Sequence, residues 1–140
     1  MKGTHNVSKL TAHIVWSTKY RYRILSGDIQ IRCRELLKQI CDANSLVILK
    51  GVVSTDHIHM HLLYSPRQSI SQIVQKLKGR SARKLLQDYP QLRKRYYGGH
   101  LWGIGYGVWS TGNITDEMIN NYLDHHKETP ASDDNFILEG

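Results

Sequence analysis

Two cysteines in 140 residues, and no apolar run of membrane length, narrow the field before any motif is read. Cys33 and Cys41 lie eight residues apart in one expected helix, about 12 Å along its axis and beyond the reach of a disulfide. They read as small core residues. No stretch approaches the ~18–20 apolar residues of a spanning helix. The first residues, Met1 to Asn6, carry no apolar h-region of a secretory signal, so cytoplasm is the expected location. Acids are scarce in one place above all. Between Lys76 and Arg95 eight basic residues meet a single acid, Asp88, which accounts for the whole net charge of +7. A solvated helix face normally mixes both signs, so this local excess points to a polyanion partner, nucleic acid first.

What is present is organised around residues 56–64. His57, His59 and His61 alternate with Ile58, Met60 and Leu62, the period of a half-buried strand. One face then enters a core and the other carries three imidazoles. Same-face neighbours stand roughly 6–7 Å apart, close enough for two of them to share a metal ion or a phosphate.

The rest of the chain supplies a frame. Lys9 to Thr18 alternates as a first strand, and Lys19, Arg21 and Arg23 follow in a basic, aromatic loop. Apolar residues from Ile29 to Cys41 repeat at helical period. Leu46 to Ser54 is β-rich and pairs as a hairpin with the histidine strand. Ser69 caps a second helix, with Gly79 weakening its middle. Leu101 to Thr111 is a glycine-interrupted fourth strand. Thr115 caps a last helix, with Ile114 and Ile119 at hydrophobic-staple spacing. The order β-α-β-β-α-β-α is that of an α+β, ferredoxin-like sandwich with an antiparallel sheet and an added C-terminal helix. That helix carries Tyr122 and His126 four residues apart, on nearly one face.

Together these pieces resemble the HUH single-tyrosine transposases of the smallest insertion sequences, the insertion-sequence two-hundred group. The resemblance is carried by Trp16-Ser17-Thr18-Lys19-Tyr20-Arg21, Asp56-His57-Ile58-His59, Leu77-Lys78-Gly79-Arg80-Ser81, Leu101-Trp102, Ser110-Thr111-Gly112 and Tyr122-Leu123-Asp124-His125-His126. It implies one transposase domain over 1–140, with a core over about 8–112, a tyrosine helix over about 115–127 and a tail over 128–140 that is mobile or docks nearby. It implies that Tyr122 is the nucleophile and that His57, His59 and His126 hold one divalent metal ion, Mg²⁺ or Mn²⁺. The family usually has glutamine where His126 stands. A third imidazole makes the site softer, favouring Mn²⁺ or a later metal, and more sensitive to acid. His61 is expected behind the ligands or against phosphate, and His125 behind them or in the place of His126. Lys19, Arg21, Arg23, Lys76, Lys78, Arg80, Arg83 and Lys84 are expected on the DNA backbone. The implied partners are single-stranded DNA hairpins and a second copy of the chain, with Gly112 as the hinge that lets a tyrosine helix complete the partner's site. No membrane is implied; the protein would work in the cytoplasm, against the nucleoid.

Other readings compete. His57-Ile58-His59-Met60-His61-Leu62-Leu63 also fits the histidine-triad pattern of nucleotide hydrolases and transferases, in which His59 is the nucleophile and no metal is needed. That reading leaves the basic segment and the tyrosine helix unexplained. A non-catalytic nucleic-acid-binding sheet would display aromatics where this strand displays histidines.

Overall fold

The computed structural model describes residues 9–110 and 114–125. Four strands form one antiparallel sheet in the order β2-β3-β1-β4. They are β1 (Leu10–Ser17), β2 (Val47–Val53), β3 (His57–Tyr64) and β4 (Gly107–Trp109). Between them run α1 (Gly27–Ala43), α2 (Ile70–Asp88) and the short α3 (Pro90–Arg95), and α4 (Asp116–His125) follows. This is the ferredoxin-like arrangement, with the two strands of densest apolar alternation at its centre.

Register explains how the sheet acquires two different faces. β1 and β3 pair so that Ile14 opposes Met60 and Trp16 opposes Ile58. These residues, with Ala12 and Leu62, are fully buried against the apolar sides of α1 and α2. Cys33 and Cys41 sit in that core as free thiols, and burial pushes both up to about 12. The alternate residues of the same two strands face the other way, where α4 lies. Val15 packs there on Ile119 and Leu123, flanked by Trp109, Ile114 and Tyr122. Burying Ile119 and Leu123 is worth roughly 1.5–3 kcal/mol each, which anchors a ten-residue helix too short to persist alone.

Local signals account for the helix ends. The Ser69 hydroxyl accepts from the Gln72 N–H at 3.2 Å, and that of Thr115 from the Met118 N–H at 3.2 Å. Ile114 and Ile119 meet in one cluster, as staple spacing requires. Gly79 does not interrupt α2, which is continuous across it.

The fourth strand is shorter than its sequence suggests. Among the described residues only Gly107–Trp109 joins the ladder, and Trp102 makes an isolated bridge to Thr18. Gly105, at φ 85°, turns the chain out of the ladder between these two points. The Lys78 ammonium donates to the Gly103 and Gly105 carbonyls at 2.7 and 2.8 Å, supplying partners that a strand would have found in its neighbour.

Candidate active site

The three histidines of β3 leave the core face as their alternation requires, and β1 adds a fourth. His13 opposes His61 in register, Val15 opposes His59 and Ser17 opposes His57. The rings of His13 and His61 stack at 3.8 Å between centroids. The Nδ1 of His13 lies 3.0 Å from the Nε2 of His59. One of these nitrogens must donate and the other accept, so the contact couples the tautomers of the two rings. His59 is buried, and desolvation first, then the neighbouring His13 and Lys50, hold its imidazole down to about 4. His13 is lowered for the same reasons, burial foremost, then His61 and Lys50. Both rings are therefore neutral at pH 7, the form that can ligate a cation.

His57 has a different partner. The Asp56 carboxylate lies 2.8 Å from its Nδ1. Burial pushes the Asp56 carboxyl up, but the hydrogen bond from His57 and the charge and hydrogen bond of Arg21 outweigh it, and the group lies below its ordinary value. An ionised carboxylate only accepts, so the proton sits on Nδ1 and the Nε2 lone pair is left to face a ligand. Ligating histidines are oriented in this way, by a carboxylate behind the ring. His59 can ligate through Nδ1 when its Nε2–H donates to His13 Nδ1, the tautomer that leaves the Nδ1 lone pair free. This donor set suits a divalent transition metal better than a purely oxygen-seeking one. Among the described residues no three histidine, cysteine or acidic side chains are grouped to hold a metal by themselves. The expected third ligand, His126, lies outside the described residues, as does the expected hinge, Gly112.

Tyr122 approaches from α4. Its ring is half-buried and meets Trp109 edge to face at 6.1 Å. A Cβ placed on Gly107 would come within 3.1 Å of its Cδ1, so glycine there lets the tyrosine lie close over β4. Adjacent His125 is exposed, its Nδ1–H donating to the Asn121 carbonyl of its own helix at 2.7 Å.

The basic residues border two depressions, which share Arg83. Lys19, Lys78 and Arg83 line an open groove of about 740 Å³, with His100 and Trp102. Arg80, Lys76 and Arg83 border a second depression on α2. The first groove adjoins the histidine end of the sheet, because the Thr18 N–H donates to Asp56 O at 2.9 Å and the Lys19 N–H to Leu101 O at 2.8 Å. Lys84, half-buried, is on the same helix, and Arg23 bonds Thr55 Oγ1 at 3.2 Å. Arg21 borders neither depression. Its guanidinium reaches Asp56 at 3.1 Å and Asp124 of α4 at 3.3 Å.

Sequence comparison decides the family. The profile of the family described as "Transposase IS200 like" matches residues 6–126. The chain belongs to the IS200-like transposases. As a member it is a DNA transposase, an enzyme that cuts and joins DNA. It is 35% identical over 129 residues to the ISDra2 transposase TnpA of Deinococcus radiodurans, covering 91% of this chain and 92% of that one. It is 32% identical over 116 residues to the transposase for insertion sequence element IS200 of Salmonella typhimurium, covering 83% and 76% respectively. A crystal structure of a protein from Deinococcus radiodurans R1, described as a transposase, superposes with a TM-score of 0.83 at 31% identity, over 92% of this chain and 99% of that one. A REP-associated tyrosine transposase bound to a REP hairpin shares the fold, with a TM-score of 0.55 at 14% identity, over 84% of this chain and 62% of the other.

Proposed function

We propose that this transposase cleaves and rejoins single-stranded DNA at hairpin-marked ends, with Tyr122 as nucleophile and His57, His59 and His126 as the holders of one Mg²⁺ or Mn²⁺ ion. The observation that carries the reading is the Asp56–His57 hydrogen bond, which turns the His57 Nε2 outward on the sheet face that α4 covers. When bound, the metal supplies charge to polarise the scissile phosphate, which a tyrosine hydroxyl of ordinary pKa near 10 requires.

The Tyr122 oxygen attacks phosphorus, and the bond from phosphorus to the 3′ oxygen breaks. The tyrosine proton is lost, the leaving oxygen takes up a proton as a free 3′-OH, and the 5′ side of the DNA remains joined to Tyr122 as a phosphodiester. Joining is the reverse with a new 3′-OH, so no nucleotide triphosphate is consumed. Lys19, Arg83 and the other cations of the α2 groove hold DNA backbone without reading sequence, a role that weakens with salt. The family resemblance supports hairpin ends and a dimer whose tyrosine helices can complete each other's sites through Gly112.

A denaturing gel of a single-stranded hairpin substrate incubated with Mn²⁺ tests this. A protein–DNA band that survives denaturation is expected from the wild type, and none from Tyr122→Phe or with EDTA. A band persisting in Tyr122→Phe would refute the assignment.

A further inference from the structure

Arg21, an expected DNA contact, is held between two carboxylates of the site. It lies in a single 3₁₀ turn (Lys19–Arg21) directly after β1, where Tyr20 and Arg21 take φ of 63° and 55°. Two successive left-handed residues, neither of them glycine, are held only where surrounding structure over-determines them. Here the turn is held by the Lys19 N–H on Leu101 O and by the Tyr96 hydroxyl donating to Lys19 O at 3.0 Å. The result aims the Arg21 side chain, three-quarters buried, between two parts of the site that are far apart in sequence. One NH group bonds Asp56, the carboxylate that orients His57, and the other bonds Asp124, two residues beyond Tyr122. One planar cation thus ties the histidine strand to the tyrosine helix. The fixed fork of a guanidinium suits that task, since the distance between its two donors is set by covalent geometry.

We propose that Arg21 is a positioning residue, and that Asp124 is its partner on the helix: the pair sets where α4 carries Tyr122 relative to the Asp56–His57 arm. The proposal rests on the reading of Tyr122 as nucleophile, and adds to it the contact that registers the helix. The Asp124 carboxylate is mostly exposed, so its arm is a weak one that biases the position of α4 and can be released. Packing of Ile119 and Leu123 on Val15 keeps the helix on the sheet, and the clasp selects its register there.

The test uses the full-length protein and one hairpin oligonucleotide, and reads three quantities. In Asp124→Asn, amide exchange over α4 in DNA-free, metal-free protein should rise about threefold, and single-turnover cleavage should fall about three- to fivefold. The hairpin concentration for half-saturation should stay unchanged, and Asp124→Glu should restore exchange and rate. Arg21→Gln should lose more than Asp124→Asn, and adding Asp124→Asn to it should cost nothing further, because both changes cut one link. Asp124 is at the surface, so loss of folding cannot imitate these results. Arg21→Gln that weakens hairpin binding and flattens its salt dependence, with Asp124→Asn leaving exchange and rate at wild-type values, would overturn the proposal and return Arg21 to the DNA backbone. If α4 exchange responds as expected while Tyr122→Phe still forms the covalent product, the clasp stands and the nucleophile assignment falls.

Discussion

His13 and His59 meet nitrogen to nitrogen at 3.0 Å across two adjacent strands, on the face that α4 covers. A partly buried pair of this kind tolerates one shared proton between neutral rings and resists a second. The sign of its pH dependence follows. His59 titrates near 4 in the folded chain and near 6.5 when unfolded, so the unfolded state takes up the proton first as pH falls. Stability should be level above pH 7 and drop by roughly 2–3 kcal/mol between pH 6.5 and 4 on account of this group. Urea midpoints in EDTA across that range check it, and His59→Gln should flatten the slope.

Asp56→Asn replaces the carboxylate behind His57 with an amide that can no longer fix the ring by charge. Metal affinity should fall about 10–100-fold, the usual cost of losing such a partner. Isothermal titration with Mn²⁺ measures it directly. Unchanged affinity would place the metal away from His57.

Gly107→Ala puts a methyl 2.8 and 2.9 Å from Cη2 and Cζ3 of Trp109, and 3.1 Å from Tyr122 Cδ1. Two aromatic rings in edge-to-face contact must then separate. A loss of about 1–3 kcal/mol of stability is expected. The cleavage rate should drop more than hairpin binding does, since Trp109, the ring displaced most, packs edge to face on Tyr122. Single-turnover rates and filter binding on the same preparation separate the two effects.

Ser81 is fully buried inside α2, where its hydroxyl donates to the Leu77 carbonyl and accepts from Trp102 Nε1 at 3.0 Å. Ser81→Ala leaves the Trp102 N–H without that acceptor inside the core. The cost should be roughly 1–2 kcal/mol, an orphaned donor partly offset by the better helix propensity of alanine. A lower urea midpoint with an unchanged slope is the expected reading.

Most of this architecture was legible from pattern. The alternation of residues 57–62 assigns core and site faces, and Ser69 and Thr115 mark helix starts through side-chain chemistry that is local to the chain. The fourth strand is shorter than its sequence pattern because Val, Ile and Trp favour a strand, while the turn at Gly105 is a backbone choice that composition only hints at. In the sequence His13 is a lone histidine within the alternation of β1. Its signal was present, since it shares the outward face with the histidines of β3, but only the register Ile14–Met60 brings it beside them. In the sequence Arg21 is one more cation in a basic loop. Its carboxylate partners lie 35 and 103 residues away, a separation at which no periodicity carries information.

If Tyr122 is the nucleophile, it carries the DNA in the covalent intermediate. Peptide mass spectrometry of the covalent product, after exhaustive nuclease and protease digestion, locates the attached nucleotide. A 5′-phosphonucleotide is expected on the oxygen of Tyr122, in a peptide spanning α4. The same mass on His59, or on another tyrosine, would contradict it, and a histidine adduct formed in EDTA would favour the histidine-triad chemistry instead.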